Sequence, residues 1–285
     1  MAHHHSSPAV SFRDTLRVTS DFRLADLDPH STPGFDRSKK HAEAAMADTQ
    51  AQLGDLQERL YAESREGGKR SVLLVVQGMD TSGKGGIMRH VVGALDPQGV
   101  HYHAFKAPTE EERQHDFLWR ITNALPAPGL VGVFDRSQYE DVLIVRVHNL
   151  VPEEVWSARY QQINDWEAAL VQSGTTVVKV MLHISSDEQK ARLLGRLDRP
   201  DKHWKFNPGD IDERTKWPDY MAAYDAALTK CSTEAAPWFA VPADRKWYAR
   251  YAVSQLLLET LTAMNPTWPA VDFDVEAQRQ RLLAT

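Results

Sequence analysis

Residues 71–77 read Ser-Val-Leu-Leu-Val-Val-Gln, and they run straight into Gly78-Met79-Asp80-Thr81-Ser82-Gly83-Lys84-Gly85-Gly86 and a helical stretch from Ile87. The first segment is short, apolar and β-branched, with no polar alternation. That pattern belongs to a strand buried on both faces, as in a parallel sheet. A G-x-x-x-x-G-K loop between such a strand and a helix is a phosphate-binding loop. Its glycines let the backbone turn tightly, so that successive N–H groups aim at phosphate oxygens. The helix start adds positive potential, and Lys84 adds a mobile cation. Gly78, Ser82, Gly83, Gly85 and Gly86 are therefore candidate phosphate-binding positions, and Lys84 a candidate catalytic cation.

Four further apolar runs, at 100–105, 130–134, 176–184 and 238–241, predict strands. Helical patterns at 39–66, 84–95, 109–125, 139–147, 152–173, 186–198, 212–230 and 245–264 alternate with them. Strands separated by helices require crossover connections, hence a five-stranded parallel α/β sheet. No Pro/Ser-rich gap divides the series, so 39–285 is expected to be one domain, with residues 1–38 an extension lying on it or partly disordered. His3, His4 and His5 read as an appended tag without a metal role. The longest unbroken apolar run, Val72 to Val76, is far below the roughly 20 residues that span a bilayer. The single cysteine, Cys231, cannot form an internal disulfide, which fits a reducing, cytoplasmic setting.

The loop has Gly85 where Ser or Thr usually holds Mg²⁺. A metal would need another oxygen ligand, and Asp80 inside the loop supplies a carboxylate of the kind Mg²⁺ prefers. A turn residue satisfying backbone N–H groups is the alternative for Asp80. The third strand ends in Asp135-Arg136-Ser137. Ligands of open α/β sheets lie at the carboxyl ends of the strands, so Asp135 is expected to face Asp80 and Lys84, with Arg136 gripping a transferring phosphoryl group. A helix cap is the alternative for Asp135.

The net charge of −6 argues against a nucleic-acid coat protein or a general polyanion binder. Its distribution changes that reading. Residues 190–206 carry Lys190, Arg192, Arg196, Arg199, Lys202 and Lys205 against only Asp198 and Asp201, a local +4 that leaves −10 for the rest. A solvated helix face is the ordinary explanation of such a run. After the fourth strand, however, a mobile lid bringing cations to phosphates is expected, at about 190–216. Trp204, Phe206 and Trp217 flank these cations, where they would either stack on a base or pack in the core.

Together these motifs resemble the polyphosphate kinase 2 family, whose members transfer phosphoryl groups between inorganic polyphosphate and nucleotides. The resemblance rests on Gly78 to Gly86 with its internal Asp80, on Phe134-Asp135-Arg136-Ser137 with Tyr139-Glu140-Asp141, and on Arg196-Leu197-Asp198-Arg199-Pro200-Asp201-Lys202-His203-Trp204-Lys205-Phe206. Trp217-Pro218-Asp219-Tyr220 with Tyr224, and Pro237-Trp238-Phe239-Ala240-Val241-Pro242, extend it over roughly 33–264. It implies a P-loop kinase-like three-layer sandwich with a helical lid, and Asp80 and Asp135 as the Mg²⁺ ligands. Lys84, Arg136 and Arg196 would contact the transferring phosphates. Arg89, Lys106, Arg146, Arg199, Lys202 and Arg214 would bind the phosphate chain, and Glu140, Trp204 and Asn207 the nucleotide. Inorganic polyphosphate and purine nucleotides are the implied partners, and a homo-oligomer is expected, with no nucleic acid and no membrane. Glu140-Asp141 is similar to the branch that accepts nucleoside monophosphates as well as diphosphates, whereas Lys84-Gly85-Gly86 is similar to diphosphate-preferring members. An ATP-dependent nucleotide or metabolite kinase, and a non-catalytic nucleotide-binding regulator, are the competing readings.

Overall fold

The computed structural model describes residues 10–285; the His3–His5 stretch lies outside the described residues. The chain runs through α1 (Phe12–Leu16), α2 (Lys39–Arg65), β1 (Ser71–Gln77), α3 (Lys84–His90), β2 (Val100–Ala104), α4 (Trp119–Asn123), β3 (Val131–Asp135), α5 (Ile144–Val147) and α6 (Glu153–Gln172). It continues through β4 (Thr175–His183), α7 (Ser186–Leu197), α8 (Gly209–Thr215), α9 (Trp217–Cys231), β5 (Trp238–Pro242), α10 (Lys246–Met264) and α11 (Val275–Leu283). All five strands are parallel, in the order β2-β3-β1-β4-β5. The central strand is apolar throughout because both of its faces are covered. Val72, Leu74 and Val76 pack with α2, α3 and α10 through Leu53, Ile87 and Leu256. Leu73 and Val75 pack with α4, α6 and α9 through Ile121, Ile163 and Leu228. This is the expected three-layer sandwich. Among the described residues, no helix is long and apolar enough to cross a membrane.

Three expectations change. The helix at 109–125 is replaced by a 3₁₀ turn at Glu112–Gln114 and the short α4. Thr109 and Glu112 cap each other reciprocally at 2.8 and 3.2 Å, but Glu112 is also 3.4 Å from Arg120, which commits its carboxylate to a tertiary contact. The single helix at 212–230 is two, because Pro218 lacks the amide hydrogen that would carry α8 through into α9. The run at 139–147 opens as a 3₁₀ turn over Gln138–Val142 and becomes α-helical only at Ile144.

From residue 10 onward the N-terminal extension is part of the body. Phe12, Leu16, Val18 and Leu24 are buried. Val18 N donates to Trp238 O at 2.8 Å, and Arg17 bridges Phe239 antiparallel, so the arm covers the otherwise open edge of β5. The Glu259 carboxylate of α10 accepts from Ser11 Oγ, Phe12 N and Arg13 N. An arm packed this way contributes like core. Phe12→Ala is expected to lower stability by about 3–5 kcal/mol in urea unfolding; a loss under about 0.5 kcal/mol would mean that the arm is only draped on the surface.

Candidate active site

The loop after β1 takes its shape from a few positions that ordinary side chains rarely occupy. Gly78 has φ +153, and a Cβ there would lie 2.6 Å from Ser82 Oγ and 2.8 Å from Leu182 O. Gly83, which opens α3, has φ +119. Thr81 is left-handed at φ +64 without being glycine, a strain that persists only where the surroundings enforce it. Arg192 of α7 does the enforcing. Its Nη1 donates to Thr81 O and Ser82 O at 2.8 and 3.1 Å, and its Nη2 to Ala243 O and Asp244 O at 2.7 and 2.8 Å. Gln189 Nε2 holds Asp80 O at 3.0 Å. Two residues of α7 thus hold three successive loop carbonyls, those of Asp80, Thr81 and Ser82.

That cavity, of about 820 Å³, lies along the carboxyl ends of the strands. Residues 80–86 form its floor, with Arg89 and His90 of α3 beyond them. Lys106 enters after β2, Asp135 from the end of β3 and Arg136 directly after it, Arg196, Arg199, Lys202 and Lys205 from α7 and the turn that follows, and Lys246 and Arg250 from α10. With Lys84 and Arg192, eleven lysines and arginines line it against three carboxylates, those of Asp80, Asp135 and Glu188. Such an excess in a chain of net charge −6 matches a ligand with many negative charges. Lys84 Nζ folds onto Gly78 O at 2.5 Å and Met79 O at 3.3 Å. Burial draws its pKa below the usual lysine value, and Asp80 opposes the shift. Burial also lowers His90, Lys246 and Arg250, with neighbouring arginines adding to the effect in each case. Arg136 moves the other way. Burial works against its charge, but Glu140, Asp80 and Asp135 together hold its pKa above the usual value. Beside Arg136 and Lys84, the half-buried Glu140 has its own pKa pushed up by desolvation.

Asp80 Oδ1 is 3.5 Å from Arg136 Nη2, and Asp135 Oδ2 accepts from Tyr102 Oη at 3.4 Å. The cap for the turn after β3 is Ser137, whose Oγ accepts from Tyr139 N, so Asp135 is not needed there. One oxygen of each aspartate has no hydrogen-bond partner among the described residues. No group of three or more metal-ligating side chains exists among them either. A hard cation completing its shell with water and phosphate oxygens, as Mg²⁺ does, fits two carboxylates at the mouth of a phosphate loop.

The other expected residues divide. Ser82, Gly83, Gly85, Gly86, Arg89, Lys106, Arg199 and Lys202 line the cavity, as do all the candidate catalytic residues. Four do not. Arg146 lies over the Trp156 ring at 4.8 Å and donates to Tyr160 Oη, because a flat guanidinium stacks readily inside the α5–α6 packing. Arg214 is used up bonding Ser186 O, Ser186 Oγ and Gln189 Oε1, which pins α8 to α7. Trp204 stands 79% exposed outside the cavity, under the Lys205 ammonium. Asn207 Oδ1 accepts from Gly209 N at 3.0 Å, an Asx turn that starts α8. Trp217 lines a separate, smaller cavity with Met221 and His183. The sequence reading missed the clamp role of Arg192 and the whole contribution of His90, Lys246 and Arg250. The i, i+4 spacing of Lys246 and Arg250 directly after the last strand was the available signal.

Arg192 and Lys202 separate clamp from lid. Arg192→Met, which leaves buried carbonyls without donors, is expected to cost about 1–3 kcal/mol of unfolding free energy. Lys202→Met, on the exposed turn, should stay within about 0.5 kcal/mol. Parallel chemical unfolding of the two variants checks both figures.

The family profile of polyphosphate kinase 2 (PPK2) matches residues 36–269. An AMP/ADP-polyphosphate phosphotransferase from Meiothermus ruber is 46% identical over 255 residues, covering 89% of this chain and 94% of that one. An ADP-polyphosphate phosphotransferase from Rhodopseudomonas palustris is 43% identical, with 90% of each chain covered. The crystal structure of polyphosphate kinase 2 from Arthrobacter aurescens TC1 superimposes with a TM-score of 0.95 at 56% identity, over 97% of this chain and 98% of that one. With a phosphate loop, a strand-end aspartate–arginine pair and a cation-lined cavity on one sheet edge, the chain belongs to the polyphosphate kinase 2 family.

Proposed function

We propose that this protein moves a phosphoryl group between inorganic polyphosphate and a nucleoside mono- or diphosphate, making ATP from ADP in the forward direction. The observation that carries the reading is the cavity itself, where eleven cations and three carboxylates surround a phosphate loop. A single nucleotide would leave most of that positive charge unused, whereas a phosphate chain extends along it. The relatives' names, with both AMP and ADP as acceptors, point the same way.

The chemistry asks little of the protein beyond placement and charge neutralisation. A terminal oxygen of the acceptor nucleotide, already anionic, attacks the terminal phosphorus of the chain in line. The P–O bond to the bridging oxygen breaks, and the shortened polyphosphate leaves as a stable anion. No proton has to move, which fits a cavity whose single histidine is His90. Lys84 and the loop N–H groups hold the transferring phosphoryl oxygens, and Arg136 neutralises charge building on them. Asp80 and Asp135 would hold Mg²⁺, which supplies electrostatic stabilisation of the phosphate oxygens and a template for their alignment. Arg196, Arg199, Lys202 and Lys205, on a segment whose turn at Pro200–Lys205 has no buried residue, act as a lid over the chain. Glu140, close to Arg136 and Lys84, is assigned in this reading to the acceptor nucleotide. A homo-oligomer and a cytoplasmic setting belong to this reading, supported by the exposed leucines 282 and 283 of α11 and the lone buried thiol of Cys231.

Purified protein given Mg²⁺, polyphosphate and ADP is expected to produce ATP, measured by luminescence. Phosphorylation of AMP, GMP and GDP in the same assay reads acceptor level and base. Absence of ATP above an enzyme-free control, together with ATP-driven phosphorylation of another metabolite, would overturn the proposal in favour of an ordinary kinase. Asp135→Asn and Lys84→Ala should each reduce kcat more than tenfold with thermal melts close to wild type. Chelation of divalent ions by EDTA should abolish turnover, and added Mg²⁺ should restore it.

A further inference from the structure

At the centre of the sheet layer packed under α6 and α9 sits a charge that the phosphate cavity does not use. Lys179 of β4 is 0% exposed, and so is Glu167 of α6. Lys179 Nζ donates to Glu167 Oε2 at 2.5 Å, to Tyr139 Oη at 2.8 Å and to Cys231 O at 2.7 Å, so all three of its hydrogens are placed. Glu167 Oε1 accepts from Tyr139 Oη at 2.9 Å and from Gln138 Nε2 at 3.0 Å. Burial and the Glu167 charge keep the tyrosine hydroxyl protonated, its pKa raised well above the usual value, so it remains the donor. The Tyr139 ring packs edge-on against Trp238, with centroids 4.6 Å apart. Two residues before Tyr139, Ser137 Oγ accepts from Gln77 Nε2 at 3.0 Å.

A buried ion pair is a poor way to gain stability, since apolar side chains of similar volume commonly do as well or better. Its location points to another use. Every bond made by Ser137, Gln138 and Tyr139 in this set fixes the segment between Asp135-Arg136 and Glu140. Arg136 is left-handed at φ +67, a conformation unfavourable for a side chain with a Cβ. It persists only if the chain on both sides is over-determined. Upstream, Arg136 N is held by Val76 O at 3.1 Å. Downstream, Ser137 is tied to Gln77 of β1, and the next two residues, Gln138 and Tyr139, both donate to Glu167 of the buried ion-pair set. Through Cys231 O the same lysine reaches the end of α9, the helix into which the lid segment returns.

We infer that Lys179, Glu167 and Tyr139 are positioning residues of the phosphotransfer site, a buried ion-pair network that holds Arg136 in its left-handed conformation and so aims its guanidinium beside Asp80. None of the three touches the phosphate cavity, and they act through the loop of residues 135–140. The inference rests on the reading of function given above for its kinetic consequence, but not for its structural one.

The deciding variant is Tyr139→Phe, which removes one oxygen and keeps the ring against Trp238. Its comparison is Tyr248→Phe on the opposite face of the sheet, which likewise removes a buried hydroxyl, bonded to Pro33 O at 2.6 Å. A Lys179→Met/Glu167→Gln double variant removes both charges together, so neither is left buried alone. Tyr139→Phe is expected to lower kcat more than threefold, with the KM for polyphosphate within twofold of wild type. Tyr248→Phe should leave kcat within that threefold limit, and the double variant, where it folds, should fall further than Tyr139→Phe. In hydrogen exchange of the full-length protein, the peptide covering 135–141 should exchange faster in Tyr139→Phe but not in Tyr248→Phe. A smaller fall in kcat for Tyr139→Phe, an equal fall in Tyr248→Phe, or unchanged exchange at 135–141 overturns the inference. If wild-type protein makes no ATP from polyphosphate, the proposed function fails, and the exchange comparison still decides whether the network holds the loop.

Discussion

All five strands point the same way, and the active site depends on that. Because β1 to β5 are parallel, every strand delivers its following loop to one edge of the sheet. The phosphate loop, Lys106, the Asp135–Arg136 pair, α7 with its arginines, and Lys246 with Arg250 follow β1, β2, β3, β4 and β5 in turn. Crossover helices then cover both faces, which makes the strands apolar along their length and confines polar chemistry to their ends. The buried Lys179–Glu167 pair departs from this division, and it lies directly beneath the loop that carries Arg136.

Collecting eleven cations around one cavity works against folding, because like charges repel. The shifts in the site record the strain. Burial, reinforced by adjacent arginines, lowers the proton affinity of His90, Lys246 and Arg250. The structure limits the cost in two ways. Carboxylates stand close to the most crowded groups, with Glu140 beside Arg136 and Glu188 bonded to Arg192 Nε at 2.7 Å. Arg192, moreover, spends its remaining donors on backbone carbonyls, so part of the apparent ligand-binding charge is structural. What is left over is the field that a phosphate chain would neutralise, within a surface that is otherwise acidic and repels such chains.

The phosphate loop was legible because its signal is local: spaced glycines and a lysine after an apolar strand need only the backbone to acquire their meaning. The strand-end Asp135 was legible for a related reason, since the carboxyl ends of a parallel sheet are where ligands bind. Cations were harder. Arg146, Arg196 and Arg214 look alike in sequence, yet one stacks on Trp156, one lines the cavity and one pins α8 to α7. A guanidinium serves as a ligand group, an aromatic partner or a backbone clamp according to what it faces, and facing is a tertiary property. For the same reason Trp204, expected either to stack on a base or to pack in the core, stands in solvent, while the arm expected to lie on the body or be partly disordered closes the edge of β5.

By itself, then, the sequence determined the layered α/β class, the order of strands and helices along the chain, the phosphate loop and the aspartate opposite it. Periodicity, glycine placement and strand-end position are properties of neighbouring residues. Only the tertiary structure decided which cations share the cavity, that Arg192 clamps the loop carbonyls, that Lys246 and Arg250 join from α10, and that a lysine inside β4 bonds the segment after Arg136. Each of those outcomes depends on side chains far apart in the chain meeting across packed layers. In such meetings the low dielectric of the interior and the pairing of most buried donors, not the local sequence, select the arrangement.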